Sequence, residues 1–154
     1  MSMGEPIGRT IALDVGSKRI GVAVSDELGV LASPHGAIPR RSYNKDAAQI
    51  AALVKEAAAR RIVIGLPVGL SGGATEQTEK VRRFGQMLAA RVSVPVDWWD
   101  ERLTTVMAER IQRENRPGRT TGPSRSGAAG PRGRLDELAA AVLLQEYLDS
   151  QPRE

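Results

Sequence analysis

The apolar residues of this chain keep a strand-like spacing as far as about residue 40 and alternate between helical and strand-like spacing after it, and that change restricts the fold more than any other feature. Before it, Arg9–Val15 (RTIALDV) and Arg19–Ser25 (RIGVAVS) are β-rich runs joined by the turn-like Gly16-Ser17-Lys18. In the second run Ile20, Val22 and Val24 share one face, while Gly21, Ala23 and Ser25 share the other. That alternation predicts a strand with one face small enough for close packing. Glu27–Ile38 offers a third strand, set off by a turn at Gly29 and broken by Pro34. Short links between consecutive strands predict an antiparallel meander.

After the change, Asn44–Ala59 places Ile50, Leu53, Val54 and Ala57 at helical spacing. Arg61–Leu66 (RIVIGL) is short and continuously apolar, as a strand buried on both faces of a parallel pair requires. Thr75 is placed to cap the next helix, with Glu76 and Glu79 in its first turn and Val81, Phe84 and Leu88 facing inward as far as about Arg91. Val92–Trp98 reads as a fifth strand, and helices are expected over Thr104–Glu114 and Leu135–Asp149. Three antiparallel strands followed by alternating helices and strands give an α/β fold with a mixed five-stranded sheet flanked by helices. The 154 residues suit one domain of this kind, and no internal repeat is present.

Charge is unevenly placed. Asn115–Arg134 holds Arg116, Arg119, Arg125, Arg132 and Arg134 and no acid. Without those five, the remaining Lys and Arg are one fewer than the 18 acidic residues. The segment is rich in Gly, Pro, Ser and Thr and has no apolar periodicity, so a flexible loop that touches an anionic partner is expected there. The absence of cysteine excludes disulfides and zinc–thiolate sites. Met1–Arg9 lacks a signal-peptide-length apolar run, and no stretch has the roughly 18 apolar residues of a membrane span, so a cytoplasmic protein without membrane contacts is expected.

Three acids stand in places where a carboxylate needs a reason. Asp14 lies among Ile11, Leu13 and Val15, where an uncompensated charge is costly. A metal would resolve that cost, and so would pairing with Lys18 or Arg19 or capping of the turn. Glu101 follows the acidic and aromatic run Asp97-Trp98-Trp99-Asp100, at the strand end where open α/β sheets place ligands. It reads equally as a helix-start acid, and the two tryptophans read as packing residues rather than base-stacking platforms. Asp136 shares a helical stripe with Ala140, Leu143 and Tyr147, and so opens a face that must pack on the sheet. Oxygen ligands of this kind suit Mg²⁺ or Mn²⁺. His35 has no Ser or Cys partner signal and reads as structural. The glycine-rich link Gly65–Gly73 precedes a helix and could hold a phosphate on backbone N–H groups, or be an ordinary turn; it lacks the Walker ending.

Four segments in order carry a resemblance over nearly the whole chain: Ala12–Asp26 (ALDVGSKRIGVAVSD), Gly65-Leu66-Pro67, Asp100–Thr105 (DERLTT), and Asp136 with Ala139-Ala140 and Leu144-Gln145. The chain resembles the YqgF-like family of pre-16S ribosomal RNA nucleases and Holliday-junction-resolvase homologues. The resemblance implies a ribonuclease-H-like fold and a metal-dependent nuclease. Asp14, Glu101 and Asp136 match the family's catalytic, metal-holding carboxylates, and the nucleic-acid contacts expected are Lys18, Arg19, Arg102 and the five arginines of the basic segment. One departure stands out: Gly69 and Ser71 replace the Asn and the acidic residue the family often carries after Gly-Leu-Pro. The family link favours processing of the 5′ end of pre-16S ribosomal RNA; the alternative is a junction resolvase or other DNA repair nuclease acting on branched DNA. A non-catalytic RNA-binding assembly factor and an actin-like nucleotide-binding domain are the remaining readings, and monomer and homodimer both stay open.

Overall fold

The computed structural model describes residues 7–68, 73–101 and 131–152, and of residues 131–134 the backbone alone. The expected helix at Thr104–Glu114, most of the basic segment with Arg116, Arg119 and Arg125, and Arg102, Gly69 and Ser71 lie outside the described residues.

Five strands form one sheet: β1 (Thr10–Val15), β2 (Arg19–Ser25), β3 (Ala32–Pro39), β4 (Arg61–Leu66) and β5 (Val96–Asp100), in the order β3-β2-β1-β4-β5. β1 pairs antiparallel with β2 and parallel with β4; β2 pairs antiparallel with β3, and β4 parallel with β5. The expected meander followed by parallel units is the observed topology. β1 is central and buried at every position.

Alternation along the strands sends large residues one way and small ones the other. Ile11, Leu13, Val15, Ile20, Val22, Ile62 and Ile64 pack against helices α1 (Tyr43–Glu56) and α2 (Glu76–Ala89), which contribute Ile50, Val54, Val81, Phe84 and Leu88. Ala12, Ala23 and Val63 on the opposite face receive helix α3 (Pro131–Ser150) through Ala139, Ala140, Leu143, Leu144, Tyr147 and Leu148. Small residues on the sheet let that helix sit close to it.

Several expected boundaries move, each for a local reason. β3 begins at Ala32, not Glu27, because Asp26 Oδ1 accepts hydrogen bonds from the Val30 and Leu31 amides, both at 2.8 Å, and Gly29 takes a φ of +70°. That side-chain turn removes residues 27–31 from the ladder. Pro34 stays within β3 because the strand is at the sheet edge, and the register shifts between Val22 and Ala23 beside it. α1 ends at Glu56, short of Ala59: Ala57 caps it and Ala58 turns left-handed at φ +52°. α2 is capped by Thr75 as expected. β5 starts at Val96, not Val92, since Pro95 has no amide to give the ladder; its carbonyl accepts from Ile62 N at 3.0 Å. Val92 and Val94 still pack against the core from outside the strand. α3 starts at Pro131, a residue suited to a helix's first turn, so the backbone of Arg132 and Arg134, expected in the loop, is helical. No helix among the described residues is long and apolar enough to cross a membrane.

Candidate active site

Asp14 occupies the penultimate position of β1 and is 3% exposed. It shares the parity of Ala12, so it belongs to the face that α3 covers. Across the ladder its partner on β2 is Gly21. On the other side Leu13 pairs with Ile64, which puts Gly65 next to Asp14 in the sequence of the register.

These two glycines make the site. A Cβ at Gly21 would run into the backbone carbonyl of Asp136. A Cβ at Gly65 would lie 2.5 Å from Leu143 Cδ1 and 3.0 Å from Glu101 Oε1. The missing side chains therefore admit the start of α3 on one side of Asp14 and the Glu101 carboxylate on the other. Glu101, directly after β5, is 8% exposed. All three predicted acids thus stand at one end of the sheet on one face.

Asp136 is the sixth residue of α3, past the first turn where the helix dipole acts. Its charge is met by Arg19, whose Nε donates to Asp136 Oδ2 at 3.0 Å, with the two side chains 27% and 22% exposed. Such a charge-assisted bond is short and directional. Arg19 is itself held by the β1–β2 turn, where Gly16 N donates to the Arg19 carbonyl at 2.8 Å. Lys18 is exposed at the tip of that turn.

Oxygen donors of this type, two of them nearly buried, match a hard divalent cation in chemistry. The described arrangement does not bring them together as ligands: among the described residues no three His, Cys, Asp or Glu side chains form a group that could hold a metal ion. The Arg19 contact on Asp136 is the visible competitor for such a role.

The neighbouring residues of the acidic run separate. Asp97 joins the opposite end of the α3 face, where it accepts the Tyr147 hydroxyl proton at 2.6 Å while Arg61 Nη1 donates to that hydroxyl at 2.9 Å. Burial, and then the bond to Asp97, push the Tyr147 hydroxyl above its ordinary pKa. Trp98 packs on Gly85 of α2, and Trp99 meets Tyr147 edge to face at 5.8 Å, in keeping with packing roles. His35 is exposed on the edge strand β3, not in the core. Reading the sequence alone missed the Tyr147–Asp97–Arg61 cluster, because its members are 36 residues or more from completion: Tyr147 and Asp97 are separated by 50 positions and Tyr147 and Arg61 by 86.

Comparison with known proteins agrees with this architecture. The chain is 40% identical over 147 residues to a protein of Caldanaerobacter subterraneus subsp. tengcongensis named "Putative pre-16S rRNA nuclease", covering 93% of this chain and 97% of that one. A protein of Syntrophus aciditrophicus with the same name is 43% identical over 148 residues, covering 95% and 91%. Among solved structures, RuvC of T. thermophilus in complex with Holliday junction substrate aligns with a TM-score of 0.55 at 12% identity, over 96% of this chain and 99% of that one. The yeast mitochondrial Holliday junction resolvase Ydc2 aligns at 0.51 and 15% identity, over 96% and 80%. The fold is that of these resolvases. With residues 8–150 matched by the model of the RuvX family, described as Holliday junction resolvase, the chain belongs to that family.

Proposed function

We propose that this protein is a metal-dependent nuclease that hydrolyses phosphodiester bonds of structured RNA, acting on the 5′ end of pre-16S ribosomal RNA. The observation that carries the reading is the buried Asp14 carboxylate at the end of the central strand, flanked by two glycines that admit Glu101 and the start of α3. The names of the relatives supply the substrate class.

Asp14, Glu101 and Asp136 would hold Mg²⁺ or Mn²⁺, which supplies positive charge to the attacked phosphate and its leaving oxygen. Asp14 and Glu101 come from rigid strand ends, and their burial keeps bulk water from competing for them. At Asp136 the ion would compete with Arg19, which bonds Oδ2 at 3.0 Å. A released Arg19 would then lie at the rim, free to meet a phosphate oxygen.

A second reading, cleavage of branched DNA, is favoured by the description of the matching family and by the shared fold with resolvases. A side-by-side assay with precursor ribosomal RNA, single strands and four-way DNA junctions separates the two. Cleavage of the precursor and not of the junction supports the first reading, the reverse supports the second, and no cleavage of any substrate with either metal overturns both.

A further inference from the structure

We infer that Lys18, Arg41 and Lys45 form a clamped basic rim, at the Asp14 end of β1 and on the α1 side of the sheet, that holds the sugar–phosphate backbone of nucleic acid. The inference rests on the nuclease reading for its partner, and on the structure for its geometry.

The rim is built by Arg40. Its amide donates to the Lys18 carbonyl at 2.9 Å and its Nη1 to the Gly16 carbonyl at 2.7 Å. The loop leading into α1 is thereby clamped to the β1–β2 turn, four residues beyond Asp14. Arg40 is spent in doing so: its Nε bonds Asp46 Oδ2 at 3.0 Å, and Asp46 is 0% exposed. Its guanidinium also lies over the rings of Tyr43 and Phe84 at 5.5 and 5.6 Å.

Three neighbouring cations are not spent in this way. Lys18 is exposed at the turn tip. Arg41, next to the clamp, is exposed and donates from Nη2 to Gln49 Oε1 at 2.6 Å, so it lies along the first turns of α1. Lys45 precedes Gln49 by one helical turn and shares that face, also exposed. Neither Gly16–Arg19 nor Pro39–Lys45 contains an acid, and the one acid directly after them is the buried Asp46. Like charges set side by side repel, and the repulsion is relieved by a polyanion. Contacts of cations with phosphates position a substrate without reading its bases.

The test is a binding titration of a labelled RNA hairpin against salt, in metal-free buffer where no cleavage confuses the signal. The variant Lys18→Gln/Arg41→Gln/Lys45→Gln should bind several-fold more weakly. Its log–log salt slope should fall by roughly 2.1–2.7, since each of the three phosphate contacts contributes about 0.7–0.9. Lys55→Gln, at the far end of α1, should match the wild type and serves as the control. Were the triple variant unstable, each of Lys18→Gln and Lys45→Gln alone should lower the slope by about 0.7–0.9. An unchanged slope in a folded variant overturns the rim. Wild-type cleavage is scored separately: a chain that cuts but keeps its slope on mutation loses the rim and keeps the nuclease reading. A chain that never cuts but loses its slope keeps the rim and loses that reading.

Discussion

Two of the polar contacts between helix α3 and the sheet, one near each end of the helix, are built on opposite principles. Near its C-terminal end, Tyr147, Asp97 and Arg61 form a closed set: one hydroxyl that both gives and receives, one acid, and one base whose Nη1 lies 3.9 Å from that acid. Near its start, acids from β1, the end of β5 and α3 stand at one end of the sheet around Gly21 and Gly65, with Arg19 bonded to Asp136. The first arrangement is what folding alone selects, because the buried Tyr147 hydroxyl meets both an acceptor and a donor. The second places three acids at one end of the sheet, two of them nearly buried, and is the part of the helix the proposed function needs.

The sharpest way to break the comparison is Asp14→Asn. It keeps the shape of the side chain and removes the charge, so cleavage should drop by orders of magnitude in a gel assay while the thermal midpoint holds or rises. Cleavage at the wild-type rate under Mg²⁺ or Mn²⁺ would falsify the assignment of this end as the active site.

Gly21→Ala should act on both function and stability. The new methyl meets the Asp136 carbonyl, which belongs to a helix backbone and cannot swing aside. Overpacking of this sort costs about 1–3 kcal/mol. The chemical-denaturation midpoint should fall, and cleavage should fall with it as the start of α3 lifts away. A neutral outcome would mean that α3 is not seated on Gly21.

Tyr147→Phe should separate the ends. Loss of the hydroxyl leaves Asp97 and Arg61 without their shared partner at a cost of about 1 kcal/mol, with cleavage unchanged. The pH dependence has a definite sign. Because the folded pKa of Tyr147 is raised above the ordinary 10.0, its contribution is complete below pH 10 and is lost as pH rises through the folded value. The gap in stability between wild type and variant should therefore narrow only in strong alkali. Lost cleavage at neutral pH would show that the two ends are not independent.

The smallest effect is expected at Asp26, in the turn before β3. The Leu31 amide, more than any other group, draws its carboxyl below the usual value of 3.8. A lowered carboxylate pKa gives stability that is present above the unfolded value and fades as pH falls through the folded one. Asp26→Asn should thus be mildly less stable at neutral pH and indistinguishable from wild type in strong acid, as measured by thermal melts across pH. A constant difference at all pH values would assign the effect to packing and not to charge.

Much of this was legible from residue order. The alternation in Arg19–Ser25 gave its two faces, and the unbroken apolar run Arg61–Leu66 gave a strand covered on both sides; both readings are local, because side-chain direction follows directly from backbone period. The stripe of Asp136, Ala140, Leu143 and Tyr147 likewise placed one face of α3 on the sheet. Boundaries were less legible where a side chain competed with the ladder, as Asp26 does before β3, or where a proline withheld an amide, as Pro95 does before β5.

By itself, then, the sequence determined the order of strands and helices, the large and small faces of the sheet, and the three acids worth attention. Tertiary structure alone decided that Gly21 and Gly65 stand on either side of Asp14, that Arg19 reaches across 117 positions to Asp136, and that Asp97 turns away to Tyr147. The reason is physical. A period of two or of 3.6 is set by neighbours along the chain, whereas the partner of a charge is set by whichever distant group the packed sheet brings within about 3 Å of it.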